Sequence, residues 1–436
     1  MRSCIILRRP QAPLVALLLL SLFTQSCGPV PEAREFQSSD SELADSDITH
    51  QQLTSDASGE ELFAVPQILY LSPSGRDAYS GRTPERAVRT LEKIHQIVES
   101  QLLTGIVQVR VLPGVYRGQT IVWRYQPEGL SVRFVNWGGS RPLFDGCTTS
   151  TTCPGGTWFS FPYGMGYASG FRFDGLRIQN YQTAINLHGN RNNLDRYNGE
   201  NRIENCEFRN IGNVFNSRLE ASTAAVRLVN SDNNLIRDND FYNIINLGPK
   251  GGLLHAIYVA HNSSDNRIMR NRFWNISGDP IRIRDLSNHN DIRDNRFDRS
   301  GNYGFSEWYC DSQTRNDCTK ATPECPSYGN TFRTNGLNQK FSGGRLGTFN
   351  YYQDANSPHC PAIPANERRL RTSSNAGNCG INDCVNRKGR CYQHGTGSAH
   401  LQCSEGRWNY CNLNRVGLKR AGKTCTKISA TDAQWR

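Results

Sequence analysis

The 436-residue sequence lacks an apolar run long enough for an ordinary membrane-spanning helix. Its most apolar stretch, Leu14–Phe23, is about half as long as the roughly 20 residues that a helix needs to cross a bilayer. Three arginines, at positions 2, 8 and 9, precede this stretch. A short apolar stretch behind basic residues is typical of an export signal. We therefore expect residues 1–26 to direct export.

Paired Cys-x-x-Cys motifs are also absent, which disfavours zinc binding by the 15 cysteines. Without Cys4, Cys27 and Cys206, which are treated separately, an even number remains, and in an exported protein this implies disulfides. We expect Cys147 and Cys153 to close one loop. A second set should hold a long loop after the last clear coil: Cys310, Cys318, Cys325 and Cys360. A third set should hold a small C-terminal module: Cys379, Cys384, Cys391, Cys403, Cys411 and Cys425.

Residues 27–62 have almost no aromatic side chains and hold nine acidic residues against one basic residue, Arg34. Such a segment cannot bury enough apolar surface to fold, so we expect a disordered tether. The whole chain carries a formal net charge of +11; without the tether's −8 and the signal's +3, residues 63–436 carry +16. A basic body favours anionic partners such as acidic polysaccharide or lipopolysaccharide. Nucleic acid is disfavoured, because the exported chain has no recognisable nucleic-acid-binding motif.

The phrase Asn-x-Ile-x-x-Asn-x-Phe recurs through the middle of the chain. Copies begin at Asn201, Asn234, Asn266, Asn290 and, in partial form, Asn330. Apolar and polar residues alternate within each copy, so we expect each copy to form one short half-buried strand. Asparagine tolerates the left-handed backbone of a bend, and stacked asparagines can hydrogen-bond from coil to coil. Repetition of this kind predicts a solenoid of β-strands. Cys206 replaces the second asparagine of the first copy and is expected to be a small buried ladder residue.

A second alternating strand follows each copy. These strands begin at Thr183, Ala224, His255, Asp279 and Tyr303. Their apolar residues predict two inward columns: Ile185, Val226, Ile257, Ile281 and Phe305; and Leu187, Leu228, Val259 and Ile283. Only stacked coils can hide such columns from water. Loops are expected at residues 212–223, 246–254 and 310–329. A leucine-rich repeat would need LxxLxL phrases and an intervening helix, and neither is visible.

Residues 69–116 predict a strand, a Gly-rich turn, an amphipathic helix and a strand that ends in Pro113-Gly-x-Tyr116. The apolar face of the helix consists of Thr90, Leu91, Ile94, Ile97 and Val98. With the phrase Arg141–Gly146 and the asparagine repeats, this region resembles the right-handed parallel β-helix proteins of the pectin-lyase-like superfamily, in which a short helix plugs the open end. The resemblance implies an all-β fold with a β-helix over residues 63–345, an N-terminal capping helix and a Cys-rich module over residues 346–436. It does not choose among the superfamily's lyases, hydrolases, epimerases, esterases and non-catalytic adhesins.

The first residues resemble a bacterial lipoprotein signal, because Ser26-Cys27-Gly28 follows the apolar stretch almost directly. This resemblance implies a lipid on Cys27 and attachment to the outer membrane through that anchor. Simple secretion with Cys27 as an ordinary thiol is the alternative. We expect an exported, monomeric protein that is an outer-membrane lipoprotein or extracellular.

Alignment of the second strands by their inward columns brings their outward residues into register on one face. Coils stack about 4.8 Å apart, so these residues would form a basic patch with a phenol and an imidazole. The predicted catalytic residues are His255, Tyr258, Arg282 and Arg284, and the predicted substrate-binding residues are Arg227, Asp279, Tyr303 and Trp308. His188, His261 and Asp285 stand at the ends of the same strands.

This patch suits β-elimination in a uronic-acid polymer. Arginines can clamp the sugar carboxylate, His255 can act as the base for the C5 proton, and Tyr258 can protonate the leaving oxygen. The resemblance to β-helix lyases adds that Arg282 or Arg284 could instead be the base or the neutralising group. C5-epimerisation would use similar parts. We therefore expect a surface-anchored lyase or C5-epimerase acting on an acidic polysaccharide.

Other hypotheses remain open. The same face could bind a glycan without chemistry, as in an adhesin or a structural protein of the envelope. Hydrolysis would need convergent carboxylates; Asp279 and Asp285 are candidates, but the motifs of β-helix polygalacturonases are absent. No metal site can be assigned from the sequence, although these two aspartates and the acidic loops leave Ca²⁺ open as a cofactor.

Overall fold

The computed structural model describes residues 65–215, 222–312, 318, 323–351, 358–429 and 433–436. The expected signal, the expected tether and the expected lipidation residue Cys27 lie outside these ranges. Among the described residues, no helix has both the length and the apolar character needed to cross a membrane.

Three parallel sheets stack along the described chain, and successive coils add strands to them. Sheet 1 consists of Gln67–Leu71, Ile106–Val111, Ser131–Asn136, Arg172–Asp174, Arg202–Glu204, Leu235–Arg237, Arg267–Met269, Asp291–Arg293, Thr331–Arg333 and Arg371–Ser373. Sheet 2 consists of Val115–Arg117, Leu143–Asp145, Arg177–Gln179, Glu207–Ile211, Asp240–Ile244, Arg272–Ile276, Arg296–Ser300, Gly336–Leu337 and Ala376–Gly377. Sheet 3 consists of Ile121–Val122, Thr157–Phe161, Thr183–His188, Ala224–Val229, His255–Ala260, Ile281–Arg284, Tyr303–Glu307 and Gly347–Asn350.

Smaller elements complete the structure. Asn198–Gly199 and Ser231–Asp232 form a short parallel pair. The C-terminal module contains antiparallel strands at Cys384–Val385, Cys391–Tyr392, Leu401–Ser404, Arg407–Tyr410, Lys419–Arg420, Lys423–Lys427 and Ala433–Trp435. Short 3₁₀ helices lie at Pro84–Arg86, Gly248–Leu253 and Leu413–Arg415.

Each asparagine repeat spans two strands, so the prediction of one strand per copy was wrong. In the second copy, Leu235–Arg237 lies in sheet 1 and Asp240–Ile244 lies in sheet 2. Asp238 between them has a φ of 60°, and this left-handed conformation turns the chain from one sheet to the next. The equivalent residues of the other copies are Asn205, Arg270 and Asp294. The inward Ile236 and Phe241 are five residues apart, so the alternation with a period of two is interrupted at the bend.

Two asparagine ladders run along the solenoid, as predicted. The first asparagine of each copy donates from its side chain to the side-chain oxygen of the next coil's asparagine, at 2.7–3.0 Å from Asn201 to Asn330. The second asparagine does the same at 3.0–3.2 Å from Asn239 to Asn335. Each acceptor oxygen in the first ladder also receives a backbone N–H. These buried amides stabilise the stack because their polar groups are satisfied.

The interior of the coils is a continuous apolar core. Both predicted inward columns are fully buried, which confirms the register predicted for sheet 3. Phe208, Phe241, Phe273 and Phe297 stack in sequence with ring centroids 4.8–5.1 Å apart. Each such side chain contributes about 1.5–3 kcal/mol on burial, so the stacked repeats form the main stabilising element of the fold.

The predicted capping helix spans Leu91–Ser100. Its predicted apolar residues are buried, except that Thr90 lies outside the helix as the N-cap and accepts the backbone N–H of Lys93 at 3.1 Å. His95 is also buried, and its Nε2 accepts the backbone N–H of Arg124 at 3.1 Å. The helix covers the N-terminal end of the core, as a solenoid cap must.

The predicted disulfides are present. Six bonds join Cys147 to Cys153, Cys310 to Cys318, Cys325 to Cys360, Cys379 to Cys391, Cys384 to Cys403, and Cys411 to Cys425. Cys206 is a buried free thiol at the end of the second ladder, where burial raises its pKa to about 12. Disulfides in this number are typical of proteins in oxidising compartments.

The coils extend beyond residue 345, which the sequence analysis took as the end of the β-helix. Strands Gly347–Asn350, Arg371–Ser373 and Ala376–Gly377 add one strand to each sheet. The disulfide-rich module then packs back onto earlier coils. Arg296 donates to the carbonyl of Asp383 at 2.5 Å, and Arg407 of the module donates to the carbonyl of Arg270 at 3.2 Å.

Candidate functional site

The outward residues of sheet 3 align as the sequence predicted. Asn186, Arg227, Tyr258, Arg282 and Ser306 are successive register partners. The column next to them runs from His188 through Val229 and Ala260 to Arg284. The sheet therefore collects cationic, phenolic and imidazole groups on one face.

His255 begins its strand beside Asp279. Its Nδ1 donates to the backbone carbonyl of Asp279 at 2.7 Å, because a carbonyl can only accept, and this fixes the lone pair on Nε2. Burial, and then the charge of Arg282, lower the pKa of His255 to about 3. The imidazole is thus neutral at physiological pH and able to accept a proton, although only 4 % of the residue is exposed.

Asp279 and Tyr303 hold this end of the site together. The Oδ1 atom of Asp279 accepts the backbone N–H groups of Asn302 and Tyr303 at 2.9 and 3.0 Å. Its Oδ2 atom lies 3.4 Å from Nη2 of Arg282. The Asp279 carboxylate is therefore engaged with the protein, and the Tyr303 backbone is tied to it.

Tyr258 links the two ends of the face. Its ring stacks beside that of His255, with centroids 6.0 Å apart. Its hydroxyl accepts from Nη1 of Arg284 at 3.4 Å. The phenol therefore lies between a neutral imidazole and a guanidinium, where it can give up or receive a proton.

Arg284 is held by a carboxylate that the sequence analysis did not identify. Its Nε and Nη2 donate to the two oxygens of Glu324 at 2.5 and 2.7 Å. Glu324 is buried, and Arg191 lies 3.1 Å from it. Burial lowers the pKa of Arg284, but the hydrogen bond to Glu324 and the interaction with Tyr258 outweigh burial and raise it. The Arg284 guanidinium also lies 4.2 Å from the centre of the Trp308 ring.

A histidine–aspartate pair, His261 and Asp285, lies at the same end of the face as Arg284. His261 Nδ1 and Asp285 Oδ2 are 2.7 Å apart, and the other oxygen of Asp285 accepts the backbone N–H of Cys325 at 3.0 Å. Burial lowers the pKa of His261, and the hydrogen bond to the Asp285 carboxylate, which raises it, does not reverse the shift. Burial, and then Arg227 with the neighbouring charges, lower the pKa of His188 to about 4. All three histidines of this face are therefore poised in the neutral form.

Arg227 differs from the other cations of the face. It makes no hydrogen bond or ion pair with any described residue, and its buried Nε has no partner. Its register neighbours are Asn186 and Tyr258. A guanidinium without a protein carboxylate, beside a phenol, is suited to clamp a carboxylate from outside.

His261, Asp285 and Glu324 each offer a ligand atom within 4.8 Å of the others. Glu324 is already bound by Arg284 and Arg191. Ca²⁺ takes six to eight oxygen ligands. Glu324, which is shared with guanidiniums, and Asp285, which is shared with His261 and the Cys325 backbone, fit it poorly together with one imidazole. The set works better as a network that orients Arg284 and His261.

Sequence reasoning found the strand residues of the face but missed Glu324 and Arg191. Both lie on loops, where no strand register assigns a position. The only sequence signal was the pair of cysteines, Cys318 and Cys325, around Glu324. That signal indicated a loop held by disulfides, but it did not show that the loop contacts sheet 3.

Comparisons with known proteins agree with the architecture. Residues 164–322 match the family model described as the right handed beta helix region. No curated protein matches the chain in sequence. A solved structure of a rhamnogalacturonan lyase is similar at 15% identity and a TM-score of 0.46, over 62% of this chain and 68% of that chain.

Two further solved structures are similar. The pectate lyase Pel9A shares 14% identity over 68% of this chain and 81% of that chain, with a TM-score of 0.39. An alginate lyase from Paenibacillus sp. shares 12% identity over 59% of this chain and 96% of that chain, with a TM-score of 0.31. Likeness at this level carries no argument about activity. The three parallel sheets and the matching family model together identify the chain as a right-handed parallel β-helix protein with a disulfide-rich C-terminal region.

Proposed function

We propose that this protein is an exported, surface-anchored carbohydrate-active enzyme that cleaves an acidic polysaccharide by β-elimination. The observation that carries the proposal is the uncommitted guanidinium of Arg227, in register beside the Tyr258 phenol on a face with neutral imidazoles. This face combines a carboxylate clamp, a proton acceptor and a proton donor, which are the three groups that the reaction needs.

The uronate carboxylate binds Arg227, with Arg282 on the next coil but one as the second cation. These cations stabilise the negative charge that develops beside C5 when its proton leaves. His255 Nε2 takes the C5 proton, and the freed electron pair forms the C4=C5 bond. The C4–O4 bond breaks, and O4 leaves with the proton of the Tyr258 hydroxyl. Arg284 supports the resulting phenolate from 3.4 Å.

The remaining predicted residues have supporting roles in this scheme. The Trp308 ring lies against the Arg284 guanidinium and contributes an apolar wall. The half-buried Tyr303 begins the strand Tyr303–Glu307 of the same sheet. Aromatic rings of this kind suit sugar stacking. Asp279 orients His255 and Arg282 from within the protein. C5-epimerisation follows if the proton returns to the opposite face of the sugar before C4–O4 cleavage.

Non-catalytic glycan binding is the second candidate, as in an adhesin or a structural protein of the envelope. It is favoured by the closed Arg284–Glu324 pair and by the small exposed fraction of His255. Such a protein would use Arg227 and Trp308 for binding and would leave the polymer intact.

Ca²⁺ as the neutralising cofactor is a further variant of the enzymatic proposal, with substrate oxygens completing its shell. Assays with Ca²⁺ and with a chelator separate it from the arginine scheme, which predicts equal rates in both.

Lipidation of Cys27 belongs to the proposal as well. Mass spectrometry of the mature N-terminus should find a lipid-modified cysteine there, and an unmodified or absent Cys27 would leave simple secretion.

The activity test uses pectate, alginate and glycosaminoglycans, with the ultraviolet absorbance of an unsaturated product as the readout. His255→Ala and Tyr258→Phe should lower kcat about 10²–10⁴-fold, as expected for loss of general acid–base catalysis. Arg227→Gln should mainly raise KM. Arg293→Gln, on sheet 1, is the matched control and should retain activity. No product from any polymer, together with retained binding, would favour the adhesin.

A further inference from the structure

A column of arginines lies on sheet 1, on a different sheet from the candidate active site. Arg133, Arg172 and Arg202 are register partners on three successive coils, and Arg267 follows two coils later in the same column. Their strand neighbours Phe134, Phe173, Ile203 and Ile268 point into the core, so the arginines point outward. Over five coils the column spans roughly 19 Å at about 4.8 Å per step.

Most of this column lacks compensating charge. Arg172 pairs with Asp174 at 2.7 Å and with Glu204 at 3.3 Å. Within the described parts of the chain, Arg133, Arg202 and Arg267 have no carboxylate within the 4.0 Å of an ion pair. Burial, and then the charges of Arg172 and Arg202, lower the pKa of Arg133. Like charges that face each other on adjacent strands are destabilising, so the three consecutive arginines Arg133, Arg172 and Arg202 are unfavourable neighbours in the absence of an anionic partner. Arg267 lies between Leu235 and Asp291 in the register and only extends the basic surface.

Other arginines of the solenoid are compensated. On the same sheet, Arg293 and Arg333 lie 2.9 and 3.3 Å from Asp291. On the neighbouring bend and sheet, Arg270 meets Asp238 at 2.7 Å, and Arg272 meets Asp240 at 2.6 Å. Pairing with carboxylates is thus common among the arginines of this fold, and Arg133 and Arg202 stand out because neither forms an ion pair with another described residue.

An exposed aromatic ring adjoins the same part of sheet 1. Trp137 directly follows strand Ser131–Asn136 and is 39% exposed. Its ring lies edge-on to Tyr70 at 5.4 Å, with the Arg110 guanidinium 5.5 Å from its centre. An exposed ring beside a cation is suited to a charged sugar, since the ring can stack on the apolar face while the cation binds an acidic group.

We propose that the arginine column is a second binding surface for an acidic polysaccharide, laid along the solenoid axis. Its first three arginines repeat positive charge at the coil spacing, which matches an extended polymer with regularly repeated acidic groups. The six disulfides place the protein in an oxidising compartment, where glycans rather than nucleic acids are the abundant polyanions. The surface would retain polymer independently of any reaction at sheet 3.

The test is the affinity of the full mature chain for immobilised heparin and polygalacturonate at several salt concentrations. The double variant Arg133→Gln/Arg202→Gln should bind about tenfold more weakly at low ionic strength, with a shallower salt dependence. The matched control is Arg293→Gln/Arg333→Gln, which removes the same charge from the same sheet and should bind like the wild type. Thermal unfolding of both variants verifies that each is folded.

Equal weakening in the two double variants would show that net charge alone drives binding, and it would overturn the proposal. So would unchanged affinity in Arg133→Gln/Arg202→Gln. Competition by single-stranded DNA as strong as that by heparin would contradict the choice of polysaccharide. Arg227→Gln separates this surface from the proposed active site: a raised KM with retained polymer binding supports two surfaces, whereas loss of all binding in Arg227→Gln alone contradicts them.

Discussion

His188 and His255 on sheet 3 are neutral because burial and nearby arginines disfavour the protonated form. Burial, followed by nearby arginines, lowers the pKa of His188 to about 4, against an ordinary value near 6.5. His255 follows the same rule, with a pKa of about 3. A general base must be unprotonated to act, and these imidazoles are unprotonated throughout the physiological range. The low pKa also makes them weak bases, because general-base catalysis is most efficient when the pKa lies near the operating pH.

The depressed pKa of His188 predicts the pH dependence of stability. Below about pH 6.5 the unfolded chain binds a proton that the folded chain rejects until about pH 4, so stability falls through this window and is unaffected above it. Denaturant unfolding at about pH 7 and about pH 4.5 measures the change. His188→Gln should lose less stability than the wild type over this interval. An identical loss in both would mean that His188 is not held neutral by the fold.

The buried carboxylate of Glu324 should contribute strongly to the stability of the fold. Glu324→Gln should lower the free energy of unfolding by about 3 kcal/mol, because the largely buried Arg284 would then lose its carboxylate partner, and the partly exposed Arg191 would lose it as well. Asp291→Asn, which breaks a partly exposed pair on sheet 1, should cost less than about 1 kcal/mol. Urea unfolding of both variants is the measurement. Equal small costs would show that the Glu324 network is not a buried ion cluster.

Residue-scale prediction from sequence succeeded where strands fix positions. His255, Tyr258, Arg227 and Arg282 could be brought to one face because a strand alternates with a period of two. Glu324 could not, since its contact with Arg284 spans 40 residues across a loop. Nor could sequence show that Arg284 is neutralised while Arg227 is not, because that difference depends on the path of the loop.

At the scale of elements, the asparagine ladders should be the most sensitive part of the scaffold. Asn271 accepts the side chain of Asn239 at 3.0 Å and donates to the carbonyl of Ile236 at 2.9 Å. Asn271→Ala should destabilise the protein by about 3 kcal/mol, because it leaves several buried polar groups unpaired. Cys206→Ala, at the end of the same ladder, should cost about 1 kcal/mol. Chemical denaturation compares them, and a cost for Asn271→Ala no larger than that for Cys206→Ala would contradict the ladder's role.

The sequence revealed the repeat but not its division between two sheets. The residue that turns the chain is an aspartate at position 238, an arginine at position 270 and an asparagine at position 205. Because its identity varies, no single residue type marks the bend. The inward isoleucine and phenylalanine of each copy are five residues apart, an odd spacing that a continuous strand with a period of two does not allow. This spacing was the signal of the bend, and the one-strand interpretation did not use it.

At the scale of the whole molecule, the disulfide-rich module is docked on the solenoid. Arg407 is largely buried, with its Nε 3.6 Å from Asp238 and its Nη2 3.6 Å from Asp240. The composition of this region indicated a separate module, and composition carries no information about docking. The contacts predict that module and solenoid unfold as one cooperative unit.

Arg407→Ala should lower stability by about 2 kcal/mol, since Asp238 and Asp240 lose a partner in a buried contact. Arg420→Ala, at an exposed position of the module, should change it by less than about 0.5 kcal/mol. Calorimetry should give one transition for the wild type. Two transitions, with the larger unaffected by Arg407→Ala, would show that the module is independent.

The central claim is that the sheet 3 face removes the C5 proton of a uronate. Its most direct measurement is proton NMR of pectate, alginate and glycosaminoglycan oligomers incubated with the protein in D₂O. We expect loss of the C5–H signal from one polymer with the wild type and no loss with His255→Ala. A vinyl signal should accompany this loss for a lyase and should be absent for an epimerase. Persistence of every C5–H signal with folded wild-type protein that binds the oligomers would contradict it.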